Sequence, residues 1–221
     1  MRYALYGGTF DPFHVGHLAV ARAVRDAGLV DAVLLIPAGS PPHRQPTRAS
    51  AEERWCMALL ATLPEPGLRV VRWETERASE GPTYAIDTVR RARGELGAEA
   101  ELYWVLGADA LETLSAWQAF GLLCEWVQFL VLPRAPYDLA WIRSHAARLR
   151  EAHPAFRLVC LEMPAVAVSS TALREALSAG QVPRDVLPPL VADYLTRYPL
   201  YRDPPSPGWA AIPVNGEESR A

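Results

Sequence analysis

The sequence predicts an α/β domain built on a doubly wound parallel sheet, with a small helical portion near its C-terminal end. Three observations carry this. Short apolar runs recur along the chain and mostly lack the polar alternation of a strand wetted on one face. Helical patterns lie between them, the signature of strand-helix-strand units. A glycine-rich turn follows the first run directly and leads into a helical pattern, as at the first crossover of a sheet that binds ligands at its strand ends.

The strand-like runs are Tyr3 to Tyr6, Ala32 to Ile36, Leu68 to Val71, Glu101 to Leu106, Val127 to Leu132 and Phe156 to Leu161. After the first, Gly16, His17, Val20 and Val24 open a helix. Ser50 followed by Glu53 reads as a capping box, and Cys56, Leu59, Leu60 and Leu63 then repeat at helical spacing. Ala85, Val89, Ala92 and Leu96 do the same. Helices are expected over Ser170 to Ala179 and Pro188 to Tyr198, the second with Leu187, Leu190, Val191 and Tyr194 on one apolar face. Right-handed crossovers place the helices on both faces of the sheet. The stretch Ala38 to Ala49 (AGSPPHRQPTRA) reads as a surface loop beside the second strand.

With 221 residues, half of them apolar, the chain suits one domain plus a small extension. Residues 1–202 are read as that domain. Residues 203–221, rich in Pro, Gly and charge, are read as a flexible tail. A net charge of -3 and mixed signs argue against a nucleic-acid-binding surface. No apolar stretch reaches the roughly 18 residues of a membrane span, and no secretory leader is expected from the N-terminus. Cys56, Cys124 and Cys160 lie far apart in apolar stretches with no CxxC, and are read as reduced, buried small hydrophobes. The expected location is cytoplasmic. A homo-oligomer is left open.

Two constellations carry chemistry. In Gly7 to His17 (GGTFDPFHVGH), Gly7 and Gly8 let backbone N–H groups approach a phosphate, and the following helix N-terminus is an anion site. His14 and His17 are three apart, so one helical turn would face both rings the same way. Two imidazoles aimed at one anion can stabilise charge in phosphoryl transfer. The same pair could cap a helix, or bind a metal with His43 as third ligand. No GxxxxGK[ST] loop or GxGxxG fingerprint is present. In the second constellation (VSSTALR), Ser169, Ser170 and Thr171 open a helix and can cap it or donate to an anion. Arg174, one turn on, adds a planar cationic fork. Its plainer reading is a surface arginine.

GTFDPFHVGH resembles the GxFxPxHxGH signature of the nucleotidyltransferase superfamily with the HxGH motif, matching at Gly8, Phe10, Pro12, His14, Gly16 and His17. VSSTALR resembles its ISSTxIR signature, with Val168 and Leu173 in place of isoleucines. Three further segments are similar to blocks of bacterial nicotinate-nucleotide adenylyltransferases: VLGADALETLSAW (Val105 to Trp117), PTYAIDTV (Pro82 to Val89) and PPHR (Pro41 to Arg44). The resemblance covers about residues 1 to 202.

It implies a Rossmann-like fold and transfer of AMP from ATP, carried with Mg²⁺, to nicotinic acid mononucleotide, with no covalent enzyme intermediate. It implies that His14, His17 and Arg174 are catalytic. The ATP site would be Gly7, Gly8, Thr9, Phe10, His14, His17, Arg44, Gly107, Asp109, Ser169, Ser170, Thr171 and Arg174. The acceptor site would be Thr83, Tyr84, Asp109, Trp117 and Arg134. Trp117 could stack on the electron-poor ring, and backbone N–H groups near Thr83 and Tyr84 could hold its carboxylate. Plain core packing for Trp117, helix capping for Thr83 and Asp109, and a surface position for Arg134 are the alternatives.

The chain departs from the family pattern at three positions. Arg44 replaces a lysine, Pro82 replaces a serine and has no N–H to give, and Glu53 stands where a histidine often precedes arginine. Nicotinamide mononucleotide as acceptor, another transferase of the superfamily, or a nucleotide-binding regulator without catalysis are the rival readings.

Overall fold

A computed structural model describes residues 1–41, 47–164 and 166–202. The expectations placed on His43, Arg44 and residues 203–221 fall outside the described residues. Six parallel strands form the sheet: β1 (Arg2–Gly8), β2 (Ala32–Pro37), β3 (Leu68–Val70), β4 (Glu101–Gly107), β5 (Val127–Leu132) and β6 (Leu158–Cys160). Their order is β3-β2-β1-β4-β5-β6. The chain winds outward from β1 to β3, then returns to place β4 on the other side of β1. The winding reverses between β1 and β4, the place where open α/β sheets bind ligands at the carboxyl ends of their strands. The predicted fold class is the observed one.

The helices are α1 (Val15–Asp26), α2 (Ala51–Thr62), α3 (Ala85–Leu96), α4 (Phe120–Trp126), α5 (Leu139–Ala152), α6 (Ser170–Ser178) and α7 (Pro189–Arg197). They divide into two layers, and the strands explain why their sequences read as unbroken apolar runs. In β2, Val33 and Leu35 enter the core under α1, α2, α6 and α7. Leu34 and Ile36 enter the core under α3, α4 and α5. In β4, Tyr103 and Val105 alternate in the same way with Leu102, Trp104 and Leu106. A strand covered on both faces has no wet side to mark with polar residues.

Several local expectations are corrected. On α2, the residues buried against the sheet are Met57, Ala58 and Ala61, next to Arg54, whereas Leu63 is 63% exposed. The Cys56, Leu59, Leu60, Leu63 stripe is therefore turned off the sheet, and Leu60 packs at the edge of the core that α7 joins. The orientation follows from the helix start. Ser50 Oγ accepts the Glu53 N–H at 3.2 Å, the Glu53 carboxylate accepts the Ser50 N–H at 2.8 Å, and Arg54 is drawn inward. On α7, Val191, Ala192 and Leu195 are buried and Leu190 is 42% exposed. The sixth strand is shorter than its apolar run because Phe156 leaves the ladder and stacks on Phe129 at 5.2 Å. Cys124 is buried as expected, but Cys56 and Cys160 are only half-buried; all three are free thiols. No described helix is long and apolar enough to cross a membrane.

The corrected face of α2 makes a stability prediction. Met57→Ala should cost about 2–5 kcal/mol in urea unfolding, and Leu63→Ala under about 0.5 kcal/mol. A larger loss at Leu63 would restore the stripe read from the sequence.

Candidate active site

The loop between β1 and α1 is shaped by an inward-turned aromatic. Phe10 adopts φ 53, a left-handed conformation that a bulky residue takes only when its surroundings enforce it. Its ring is 1% exposed and packs near Tyr6, Phe13 and His17 at centroid separations of 5.5, 5.1 and 5.0 Å. A Cβ at Gly8 would lie 2.4 Å from that ring, so only glycine fits beside it. Phe10 can therefore serve a nucleotide through its backbone alone. Asp11 follows, 5% exposed. Its carboxylate accepts the backbone N–H groups of Arg48 and Ala49 at 2.9 and 3.2 Å and the Tyr201 hydroxyl at 2.7 Å. Burial first, and the Asp11 charge second, hold the Tyr201 phenol well above its ordinary pKa, so it remains a donor.

The two histidine rings face the same way, as their spacing suggests, and they do so through a helix cap. His14 is the N-cap of α1, in extended conformation, and His17 is its third helical residue. Each backbone N–H donates to the other residue's Nδ1, both at 3.3 Å, which is a capping box made of imidazoles. The rings stack with centroids 3.6 Å apart. With both Nδ1 atoms accepting, neutral rings carry their proton on Nε2. The Nδ1 atoms are thereby unavailable to a metal, and among the described residues no three His, Cys, Asp or Glu side chains gather as a metal site. His14 Nε2 lies 3.1 Å from Ser170 Oγ. Burial, with the positive charge of Arg134 adding to it, lowers the His14 pKa to about 4.

That His14–Ser170 contact joins the two constellations across the sheet. Ser169 is the N-cap of α6 but makes no side-chain cap hydrogen bond, so the plain capping reading does not hold for it. Arg174, one turn along, donates from Nη1 to the Asp11 carbonyl at 2.8 Å and from Nη2 to Thr171 Oγ1 at 3.2 Å. Its fork is fixed beside the β1 loop and is not a loose surface cation. Arg134 follows β5, is exposed, and is close enough for its charge to act on both His14 and Tyr6.

The other residues named from sequence for the acceptor lie on the segments flanking β4. Tyr84 is the N-cap of α3, and no side chain caps that helix. Trp117 is half-buried and meets buried Trp104 edge-on at 6.2 Å. Asp109, exposed in the turn after β4, lies over Gly107 and is not the N-cap of that turn, which is Gly107 itself.

Sequence reasoning passed over Arg54, Asp11, Glu74 and Tyr201. Asp11 sits inside the first motif at a position read as a spacer. Tyr201 is 190 residues from Asp11. Arg54 is charged and entirely buried, an environment that no local pattern announces.

His14 supplies a direct electrostatic test. Protonation is disfavoured in the folded state, so this group's contribution to stability is present above pH 6.5 and is lost as pH falls toward 4. In imidazole NMR, Arg134→Ala should raise the His14 pKa while leaving it below 6.5, because burial is the larger cause. A pKa that falls or does not move would place Arg134 away from the site.

The described geometry agrees with comparisons against known proteins. Residues 5–176 match the cytidylyltransferase-like family. The chain is 41% identical over 214 residues to a Stenotrophomonas maltophilia protein named probable nicotinate-nucleotide adenylyltransferase, covering 90% of this chain and 96% of that one. It is 37% identical over 202 residues to a Thermus thermophilus protein of the same name, covering 91% and 100%. A structure of Plasmodium falciparum nicotinic acid mononucleotide adenylyltransferase complexed with NaAD superposes with a TM-score of 0.72 at 18% identity, covering 90% of this chain and 97% of that one. At that identity the superposition speaks for the fold. The family match and the two relatives go further: the chain belongs to the cytidylyltransferase-like family, and within it to the nicotinate-nucleotide adenylyltransferases.

Proposed function

We propose that this enzyme transfers the adenylyl group of ATP to nicotinic acid mononucleotide, forming nicotinic acid adenine dinucleotide and pyrophosphate. The observation that carries the proposal is the joining of His14, His17, Ser170 and Arg174 at the ligand edge of the sheet, in a chain whose relatives are named for that reaction. A phosphate oxygen of the mononucleotide attacks the α-phosphorus of ATP in line. The new O–P bond forms as the bond to the β-phosphate bridging oxygen breaks. The nucleophile is already an anion near pH 7, so no general base is needed.

The protein's part is positioning and charge stabilisation. His14, neutral and donating to Ser170, orients that hydroxyl toward the phosphates. His17 and Arg174 bind the charge that develops on the leaving group. Backbone N–H groups of the β1 loop (Gly7, Gly8, Thr9) and of the α6 start (Ser169 to Thr171) complete the anion cradle. Nucleotidyltransferases work with a divalent metal. Here Mg²⁺ is taken to arrive on the ATP phosphates, which fits a site whose donors are imidazole, hydroxyl, guanidinium and backbone N–H.

The acid is favoured over the amide by the uncapped start of α3. A helix N-terminus attracts a carboxylate by its partial positive charge and its N–H groups. Pro82 removes one N–H just before that helix, yet those of Thr83 and Tyr84 remain. Trp117 is assigned to the ring and Asp109 to a ribose hydroxyl.

Pyrophosphate release from Mg·ATP, measured with each mononucleotide in turn, tests the assignment. The expected kcat/KM for the acid exceeds that for the amide by at least about tenfold, a difference near 1.4 kcal/mol. Equal values would remove the carboxylate assignment. His17→Ala should lower kcat by about 10²-fold or more with the fold intact, and turnover close to that of the parent enzyme would take His17 out of the chemistry.

A further inference from the structure

Two buried ionisable side chains take no part in the chemistry just derived, and they meet at one glycine. Arg54, in the first turn of α2, is 0% exposed. It donates to the carbonyls of Thr9 at 2.8 Å, Gly39 at 2.9 Å and Ala49 at 3.3 Å. Glu74, just beyond β3, is 8% exposed. Its carboxyl accepts the Thr88 hydroxyl at 2.6 Å, and the nearby Gly39 amide favours its ionised form. Gly39 thus gives its carbonyl to Arg54 and lies directly against the backbone of Glu74. A Cβ there would lie 2.2 Å from the Glu74 carbonyl oxygen, so the contact tolerates no side chain.

The two side chains reach opposite halves of the site. Through Thr9, Arg54 holds the loop assigned to the triphosphate. Through Thr88, in the first turn of α3, Glu74 holds the helix assigned to the acceptor. The same segment is braced along α3 by Trp73 Nε1 donating to Glu95 at 2.8 Å and by Arg91 donating to the Trp73 carbonyl at 3.0 Å. The Glu74–Thr88 contact is the tie nearest the helix start, because the Thr88 hydroxyl also lies 3.4 Å from the Tyr84 carbonyl at the N-cap.

We propose that Glu74 is a positioning residue for the acceptor, setting the α3 N-terminus through Thr88 and registering it, through Gly39, against the triphosphate loop that Arg54 holds. A mononucleotide phosphate must reach the α-phosphorus in line, and misplacement by about 1 Å is costly in such a transfer. A strut between the half-sites fixes that distance without touching either ligand. The proposal rests on the reading of α3 as the acceptor helix.

Steady-state kinetics with both substrates varied tests it in three variants. Thr88→Val keeps the shape and removes the hydroxyl donor. It should raise the acceptor KM about tenfold, the size of one lost buried hydrogen bond, and leave the ATP KM within about twofold of the parent value. Thr88→Ser, which restores a hydroxyl, should return the acceptor KM most of the way. Glu74→Gln retains the length but cannot accept both donors in the same way, and should show the same split, which keeps the test open if Thr88→Val folds poorly. An unchanged acceptor KM in both Thr88→Val and Glu74→Gln, or a parallel rise in both KM values with no rescue by serine, would overturn the proposal. Turnover of nicotinic acid mononucleotide by the parent enzyme is measured first. Its failure would remove the functional reading, while the split in KM would still be readable with whichever nucleotide phosphate the enzyme does accept.

Discussion

The ligand edge of this sheet depends on one buried guanidinium. Arg54 draws together the loop after β1, the loop after β2 and the residue before the α2 cap, through the carbonyls of Thr9, Gly39 and Ala49. Burying a cation in this way is unfavourable unless its donors are matched, and burial does lower the Arg54 pKa, opposed first by the charge of Asp11. Three carbonyls spread around a planar group suit arginine, whose donors point outward in a fixed fork. A lysine would offer one compact charge at one point. The cation acts as a clasp on backbone, and the backbone it clasps is what presents the anion cradle.

A second tie closes the chain on itself. Asp11 receives two backbone N–H groups from the residues just before the α2 cap and the hydroxyl of Tyr201 from beyond α7, while its own carbonyl receives Arg174. Arg48 also donates to the Tyr201 carbonyl at 3.0 Å. The helical portion after β6 is therefore part of the site's scaffold. Removing α7 and the residues just beyond it would free the Asp11 carboxylate from Tyr201, and loosen the neighbouring carbonyl that steadies Arg174. The histidine pair is held just as locally, each Nδ1 committed to backbone, so the protonated face of each ring is set before any nucleotide arrives. Such preorganisation is what charge stabilisation in a dry cleft requires.

Much of this was legible in the residue pattern. The central strands could be read because β2, β4 and β5 are parallel and covered on both faces, and a short apolar run needs no partner to be recognised. The two constellations could be read because each lies at a strand-to-helix junction, where local sequence and local chemistry coincide. The buried face of α2 could not be read. Apolar spacing favoured Leu59, Leu60 and Leu63, but the side chain that orients the helix is Arg54, whose partners are 45 and 15 residues away in sequence. Glu74 and Tyr201 were hidden for the same reason. α5 was missed because its inward positions, Ile142, Ala146 and Leu149, are diluted by arginines and alanines. Long-range polar contacts leave no periodicity, whereas packing and capping do.

In the proposed function, a preorganised cradle passes the adenylyl group directly from ATP to a nucleotide phosphate, with no covalent stop on the protein. The stereochemical course at phosphorus tests this most directly. ATP carrying a single sulfur in place of one non-bridging α-oxygen, of known configuration, would be turned over with nicotinic acid mononucleotide and the configuration of the dinucleotide product determined. Direct in-line transfer predicts inversion. Retention would mean two displacements and a protein-bound adenylyl intermediate, and would contradict the account.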